Sequence, residues 1–147
     1  MRRTKLTIAL APLALLACAA NVAAATLAVT KTASCGCCGK WVEQMKKAGF
    51  KVTVSNVEDV TPTARRLAVP NRLRSCHTSE IGGYAIEGHV PVADIRRLLR
   101  EKPKAAGIAV PGMVMGSPGM EHGDHRQAYQ TILFDKAGKT RVFASHN

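Results

Sequence analysis

The fold is decided by the stretch Ser34-Cys35-Gly36-Cys37-Cys38-Gly39-Lys40-Trp41, which places three thiols within four positions. Residues 27–30, just before it, form a short apolar run that is typical of a buried strand. After it, apolar residues recur at helical spacing as far as Gly49, which favours a helix end. We therefore predict that the thiols lie where a first strand passes into a first helix.

The patterns that follow predict an α/β fold of the thioredoxin type. Residues 51–55 alternate like a strand, and residues 59–67 carry the cap and the proline that open a helix. Residues 76–81 and 84–87 are extended runs joined by two glycines, which is a hairpin signal, and residues 92–102 are amphipathic with helical spacing. A βαβ half followed by a hairpin and a helix is the thioredoxin-like arrangement, with the dithiol between the first strand and the first helix.

The tail adds to this thioredoxin-like core. Residues 104–127 show no sustained periodicity, so no regular element is predicted there. Three of the five methionines lie in residues 110–120, a loop rich in Gly and Pro, and long loops of this kind tend to be functional or disordered. Residues 129–134 and 140–144 are extended runs around a glycine-containing turn, and they predict a C-terminal β-hairpin.

The first 25 residues predict a signal peptide. They begin with a cationic segment, continue with a short apolar run over residues 6–20 and end in small residues suited to cleavage. We expect export to the periplasm and a mature chain, residues 26–147, that forms a single domain with no transmembrane span. Residues 15–18 also resemble a lipobox, so lipoprotein anchoring through Cys18 is an alternative.

The chain is basic, with 21 Lys and Arg against 10 Asp and Glu and a formal net charge of +11. The basic residues are scattered along the sequence, and aromatic residues make up only 4% of it. Nucleic-acid binding usually needs a clustered basic surface. We therefore expect no nucleic-acid partner and interpret the charge as a solvated surface.

Cys35 and Cys38 have CxxC spacing at a predicted helix N-terminus, where the helix dipole favours the thiolate. A redox dithiol of the thioredoxin type usually faces a proline before the third strand, but here Cys76 and His77 occupy the facing segment. This difference favours a metal site. Thiol-disulfide exchange through Cys35 and Cys38 stays open as the alternative. The crowding of the thiols disfavours a third hypothesis, a module held by a structural disulfide.

The donor types indicate which metal the site would take. Closed tetrahedral zinc sites usually take their Cys and His ligands from two separate short motifs, each with a pair of ligands, and they seldom use methionine. Thiolate, thioether and imidazole together select copper, with sulfur preferring Cu(I) and nitrogen serving Cu(II) better. The sequence therefore predicts copper as the bound metal.

Four strings resemble the DUF411 family, namely residues 35–41, 75–78, 86–91 and 111–121. The resemblance covers essentially the whole mature chain. It implies a thioredoxin-like fold, copper binding by the cysteine cluster and a role in copper resistance in the cell envelope, beside other copper-handling proteins. For some members it also implies copper oxidoreductase activity, with cycling between Cu(I) and Cu(II). The metal ligands that it implies are Cys35, Cys37, Cys38, Cys76, His77, His89 and Met113.

One segment departs from this family pattern. Residues 121–125 are richer in histidine than the resemblance leads us to expect. His122 and His125 have the spacing of two metal ligands on one helix face, but Gly123 lies between them and disfavours a helix. We therefore interpret this segment as a solvated loop.

Overall fold

The computed structural model describes residues 25–147. The predicted signal peptide lies outside these residues except for its last residue, and Cys18 lies outside them too. Within the described part of the chain, no helix has the length and apolar character needed to cross a bilayer.

The described residues form a mixed α/β structure with one seven-stranded sheet, three α-helices and a short 3-10 turn at Asn71–Leu73. The elements are β1 (Leu27–Lys31), α1 (Gly36–Lys47), β2 (Val52–Asn56), α2 (Thr61–Arg66), β3 (His77–Ile81), β4 (Tyr84–Glu87), α3 (Val92–Glu101), β5 (Gly107–Ala109), β6 (Tyr129–Phe134) and β7 (Thr140–His146). The predicted elements up to residue 101 and the predicted C-terminal hairpin are confirmed.

The strand order is β2-β1-β3-β4-β5-β6-β7. β1 lies between β2, which runs parallel to it, and β3, which runs antiparallel. The register pairs Lys31, the last residue of β1, with His77, the first residue of β3. The loop that follows β1 and the residue that precedes β3 therefore meet at one end of these strands, although they are far apart in sequence.

The position of α1 follows from its apolar face. Cys38, Trp41, Val42 and Met45 recur three and four residues apart, and all four are buried. The indole Nε1 of Trp41 donates a 2.9 Å hydrogen bond to the carbonyl oxygen of Val90, in the loop that follows β4. Burying a side chain of this size contributes about 1.5–3 kcal/mol. This face therefore fixes the first turn of α1, with its thiols, against the sheet.

The prediction of no regular element in residues 104–127 is wrong for β5. The three residues of β5 are all buried, and they pair in parallel with β4 and antiparallel with β6. A β-carbon at Gly107 would overlap the carbonyl oxygen of Ala85, so glycine permits this close pairing. A strand of three residues is too short to show a period, which explains why the sequence pattern did not reveal it.

Candidate metal centre

Three segments converge at the end of β1 and β3. Cys35 is the N-cap of α1, so the CxCC segment forms the turn between β1 and the first turn of that helix. Cys76 directly precedes β3, and His89 lies in the loop between β4 and α3. The antiparallel pairing of β3 with both β1 and β4 brings these segments to the same place.

The four described cysteines form one group of sulfur atoms. Cys35 and Cys38 are joined by a disulfide, and Cys37 and Cys76 are free. The Sγ atom of Cys37 lies 3.5 Å from that of Cys35, and the Sγ atom of Cys76 lies 3.4 Å from that of Cys38. The two free sulfur atoms are 4.0 Å apart. Each sulfur of the disulfide therefore has a free thiol beside it.

His89 presents one ring nitrogen to this group. Its Nε2 lies 3.1 Å from the Sγ of Cys76, and its Nδ1 lies 2.8 Å from the carbonyl oxygen of Pro118. A carbonyl oxygen can only accept a hydrogen bond, so Nδ1 carries the proton and Nε2 keeps its lone pair. Burial lowers the pKa of His89, which keeps the ring neutral. Metal-bound histidines commonly have this arrangement, with the remote N–H held by a carbonyl.

His77 is the second imidazole of the group. Its ring is fully buried between Trp41, with ring centroids 4.5 Å apart, and His89, with centroids 5.0 Å apart. Its Nδ1 lies 3.7 Å from the Sγ of Cys76. Burial, and then the nearby His89, lower the pKa of His77 to about 3, so this ring is neutral as well. Among the described residues, its Nε2 has no hydrogen-bond partner. The nitrogen of His77 that faces the cluster is therefore Nδ1.

Cys76 lies between the sulfur atoms and the imidazoles. It belongs to two groups of closely spaced donor atoms, one with the other three cysteines and one with His77 and His89. Burial, and then the neighbouring Cys37, raise the pKa of the Cys76 thiol to about 11. The thiol is therefore protonated at neutral pH, and a soft cation would have to displace this proton. Thiolate and imidazole donors at this spacing fit a soft or borderline metal ion.

The structure thus brings together six of the seven ligands that the sequence predicts. The seventh, Met113, differs from them in being exposed, at 60%. Its loop is attached beside the site, because the N–H of Gly112 donates to the carbonyl of Arg74 and the Ser75 hydroxyl donates to the carbonyl of Gly112. The role of Met113 as a ligand therefore stays a prediction.

Glu87 is a residue of the site that the sequence interpretation missed. Its carboxylate is fully buried, and it accepts hydrogen bonds from the backbone N–H of Ser75 at 2.8 Å and from the hydroxyl of Thr78 at 2.7 Å. These donors stand on either side of the Cys76-His77 pair. Burial raises the pKa of Glu87. The sequence signal that could have revealed it is a single acidic residue at the end of the apolar run of β4, because acidic residues are seldom buried without partners.

Two glycines let the surrounding loops approach the thiols. Gly88 has φ +71°, and a β-carbon there would lie 2.6 Å from the Oγ of Ser75. Gly119 has φ +84°, and a β-carbon there would lie 2.7 Å from the carbonyl oxygen of Cys37. Glycine alone adopts this backbone conformation without strain and leaves this space free. The methionine loop is therefore seated directly on the first turn of α1.

Comparison with known proteins places this geometry in a family. A family model described as a protein of unknown function, DUF411, matches residues 73–120. One solved structure, named copper resistance protein copG, form 2, is 44% identical with a TM-score of 0.79, and the match covers 84% of this chain and 98% of that one. Form 1 is 45% identical with a TM-score of 0.78, covering 82% and 96%. No curated protein matches the chain. The family-model match and the 44% identity over nearly all of a solved relative show that this chain belongs to the DUF411 family, as its motifs predicted.

Proposed function

We propose that this chain is a periplasmic copper-binding protein of copper resistance or homeostasis. The observation that carries the proposal is the convergence of four sulfur atoms and two buried neutral imidazoles at one place. The names of the similar solved structures support copper as the metal. The proposed ligands are Cys35, Cys37, Cys38, Cys76, His77 and His89, with Met113 as a thioether donor.

The spacing of the sulfur atoms agrees with shared metal ions. Two sulfur atoms bound to one ion at about 2.3 Å lie roughly 3.3 to 4.6 Å apart, depending on the angle between the bonds. The measured separations between the free and the disulfide sulfurs are 3.4 and 3.5 Å, and the free pair is at 4.0 Å. The sulfur atoms therefore need little movement for binding, apart from opening the disulfide. Thiolates prefer Cu(I), while the two imidazoles also suit Cu(II), so one site can serve both oxidation states.

The disulfide makes copper binding depend on the redox state. Cys35 and Cys38 become ligands only after two electrons and two protons, supplied by a dithiol reductant, convert their bond to two thiols. The oxidised protein retains Cys37, Cys76 and the two histidines as donors. We therefore expect the reduced protein to bind more copper than the oxidised protein. Copper oxidoreductase activity is a further hypothesis, which the family resemblance supports.

The test is a Cu(I) titration of the reduced mature protein under anaerobic conditions, against a chromophoric Cu(I) chelator. Copper per chain would be counted by plasma mass spectrometry and free thiols by titration. Cys35→Ser and Cys76→Ser should each lower the copper stoichiometry, whereas Ser34→Ala, next to the cluster, should not. Circular dichroism would check the fold of each variant. Unchanged copper binding in both cysteine variants would contradict the assigned site.

A second candidate function, thiol-disulfide oxidoreductase, is favoured by the Cys35–Cys38 disulfide itself. Cys38 is fully buried, whereas Cys35 is partly exposed. A substrate thiolate would attack the Sγ of Cys35, Cys38 would leave as the thiolate, and a second substrate thiol would release the mixed disulfide. Metal-free protein that exchanges with a dithiol at enzymatic rates, and that holds no copper when reduced, would establish this function instead.

The proposal includes the fold type and the location. The βαβ half, the hairpin and α3, with the dithiol between β1 and α1, support a thioredoxin-like fold for residues 26–147 as one domain. Residues 1–25 would be the signal peptide, and other envelope copper-handling proteins would be the partners. Mass spectrometry of the protein from a periplasmic fraction should give a chain that begins at Thr26. A lipid-modified Cys18 at the N-terminus would show the alternative.

A further inference from the structure

A second group of metal-binding side chains lies outside the thiol cluster, in the histidine-rich segment at residues 121–125. His122 and His125 form an antiparallel bridge across a tight turn, in which the N–H of His125 donates to the carbonyl of His122 at 3.2 Å. Gly123, with φ +54°, permits this turn. The segment is exposed, as the sequence predicted, but the pairing of the two histidines is a feature that the spacing did not reveal. Residues paired in this way present their side chains on the same face.

The two imidazoles are spaced for one metal ion. Their ring centroids are 6.4 Å apart, and their planes differ by 22°. With metal–nitrogen bonds of about 2 Å, two imidazoles on one ion place their centroids roughly 4.5 to 6.5 Å apart. The observed separation lies at the upper end of this range, and the rings are stacked nearly parallel. Because both side chains are exposed, rotation about their side-chain bonds can bring one nitrogen of each ring to a shared ion.

The base of the turn is fixed against the metal centre. The carboxylate of Glu121 accepts hydrogen bonds from the N–H of Gly119, at 2.9 and 3.0 Å, and from Nε2 of Gln44 in α1, at 2.7 Å. Pro118, just before, holds Nδ1 of His89. Glu121 and Pro118 thus tie the chain just before His122 to α1 and to His89.

We propose that His122 and His125 form a surface site for Cu(II), separate from the thiol cluster. Two imidazoles without a sulfur donor suit a borderline divalent ion rather than Cu(I), and among such ions Cu(II) binds most strongly. The carboxylate of Asp124, within the turn, adds negative charge that favours a cation. The choice of copper rests on the proposed function, whereas the binding of a divalent ion by the pair does not.

The test uses untagged, isotope-labelled mature Cys37→Ser/Cys76→Ser protein with the Cys35–Cys38 disulfide intact, so that the free thiols of the cluster neither bind nor reduce Cu(II). Cu(II) added below one equivalent broadens nearby amide signals in the NMR spectrum, because the ion is paramagnetic. Signals of residues 121–126 should broaden first, and His122→Ala/His125→Ala should abolish this broadening. Loss of an outer-shell partner alone costs about 10- to 100-fold in affinity, so loss of both ligands should weaken Cu(II) binding at least about tenfold in competition with glycine.

His146→Gln is the matched control. It removes one histidine while its amide can still donate to Asp94, as the His146 ring does at 2.9 Å. This variant should keep the Cu(II) site. Broadening confined to signals around His77 and His89, with the histidine double variant unchanged, would overturn the proposal. Cu(I) titration of the reduced histidine double variant, with all four cysteines present, separates the two sites. Intact Cu(I) binding with lost Cu(II) binding supports both proposals, and Cu(II) binding without any Cu(I) binding would refute only the thiol cluster.

Discussion

Replacement of Glu87 by leucine should weaken both the fold and the metal centre. The carboxylate accepts from the Ser75 N–H and the Thr78 hydroxyl, whereas a leucine side chain has no acceptor atom. The Ser75 N–H is therefore left without its acceptor. Leaving a buried polar group unsatisfied costs about 1–3 kcal/mol, which is the expected loss in the free energy of unfolding.

The substitution should also lower the affinity for copper. Glu87 holds the backbone N–H of Ser75 and the side-chain hydroxyl of Thr78, which flank Cys76 and His77, so it orients two proposed ligands. Loss of such a partner typically lowers metal affinity about 10- to 100-fold. Urea unfolding of the metal-free protein would measure the stability, and competition with a chromophoric chelator would measure the Cu(I) affinity of the folded variant.

Leu98→Ala serves as the control for destabilisation alone. Leu98 is fully buried on α3, outside the metal centre, and its truncation should cost about 2–5 kcal/mol. If general loosening of the fold lowered the copper affinity, Leu98→Ala would lower it more than Glu87→Leu does. An affinity equal to that of the unmodified protein in Glu87→Leu would refute the positioning role, and unchanged stability would refute the hydrogen-bond argument.

Two further predictions concern the loop contact and the disulfide. Gly119→Ala and Gly138→Ala both place a side chain at a positive φ, but only at Gly119 does the β-carbon meet backbone, the carbonyl of Cys37. Urea unfolding should therefore show a larger loss for Gly119→Ala, by about 1–3 kcal/mol, and equal losses would contradict this contact. Reduction of the Cys35–Cys38 bond in the metal-free protein should lower stability by about 2 kcal/mol, the value for a short closed loop. Cu(I) should then restore stability, because a ligand that binds only the folded state stabilises it. A urea midpoint of the reduced protein that does not change when copper is added would argue against binding by the reduced cluster.

Local patterns in the sequence were enough to predict the scaffold of the site. The CxCC segment falls between an apolar run and an amphipathic one, and the hairpin glycines separate β3 from β4. Once the order of these elements indicates the strand pairing, Cys76 must lie beside the end of β1, as the pairing of Lys31 with His77 shows. The grouping of the thiols could thus be predicted, because topology converts sequence order into proximity.

Other features depend on contacts that no local pattern encodes. The carbonyl of Pro118 fixes the proton of His89 on Nδ1. Pro118 lies in a loop without periodicity, so the sequence pattern does not indicate where this carbonyl points. Glu87 is recognisable as a buried acid only when its two donors are known. β5 has three residues, all covered on both faces, so no alternation could mark it. The bridge between His122 and His125 arises from the conformation of a single glycine.

The wide separation of the donors along the chain affects when the protein can hold metal. Cys76 is 38 residues from Cys38, and the donors meet only after β1, β3 and β4 have paired. In an unfolded chain the CxCC thiols and the Cys76-His77 pair are not held together, so full affinity for the metal appears together with the sheet. If the chain is exported unfolded, as the proposed signal peptide implies, the complete site first exists outside the cytoplasm. The topology would then keep the nascent protein from competing for the copper that the cell itself needs.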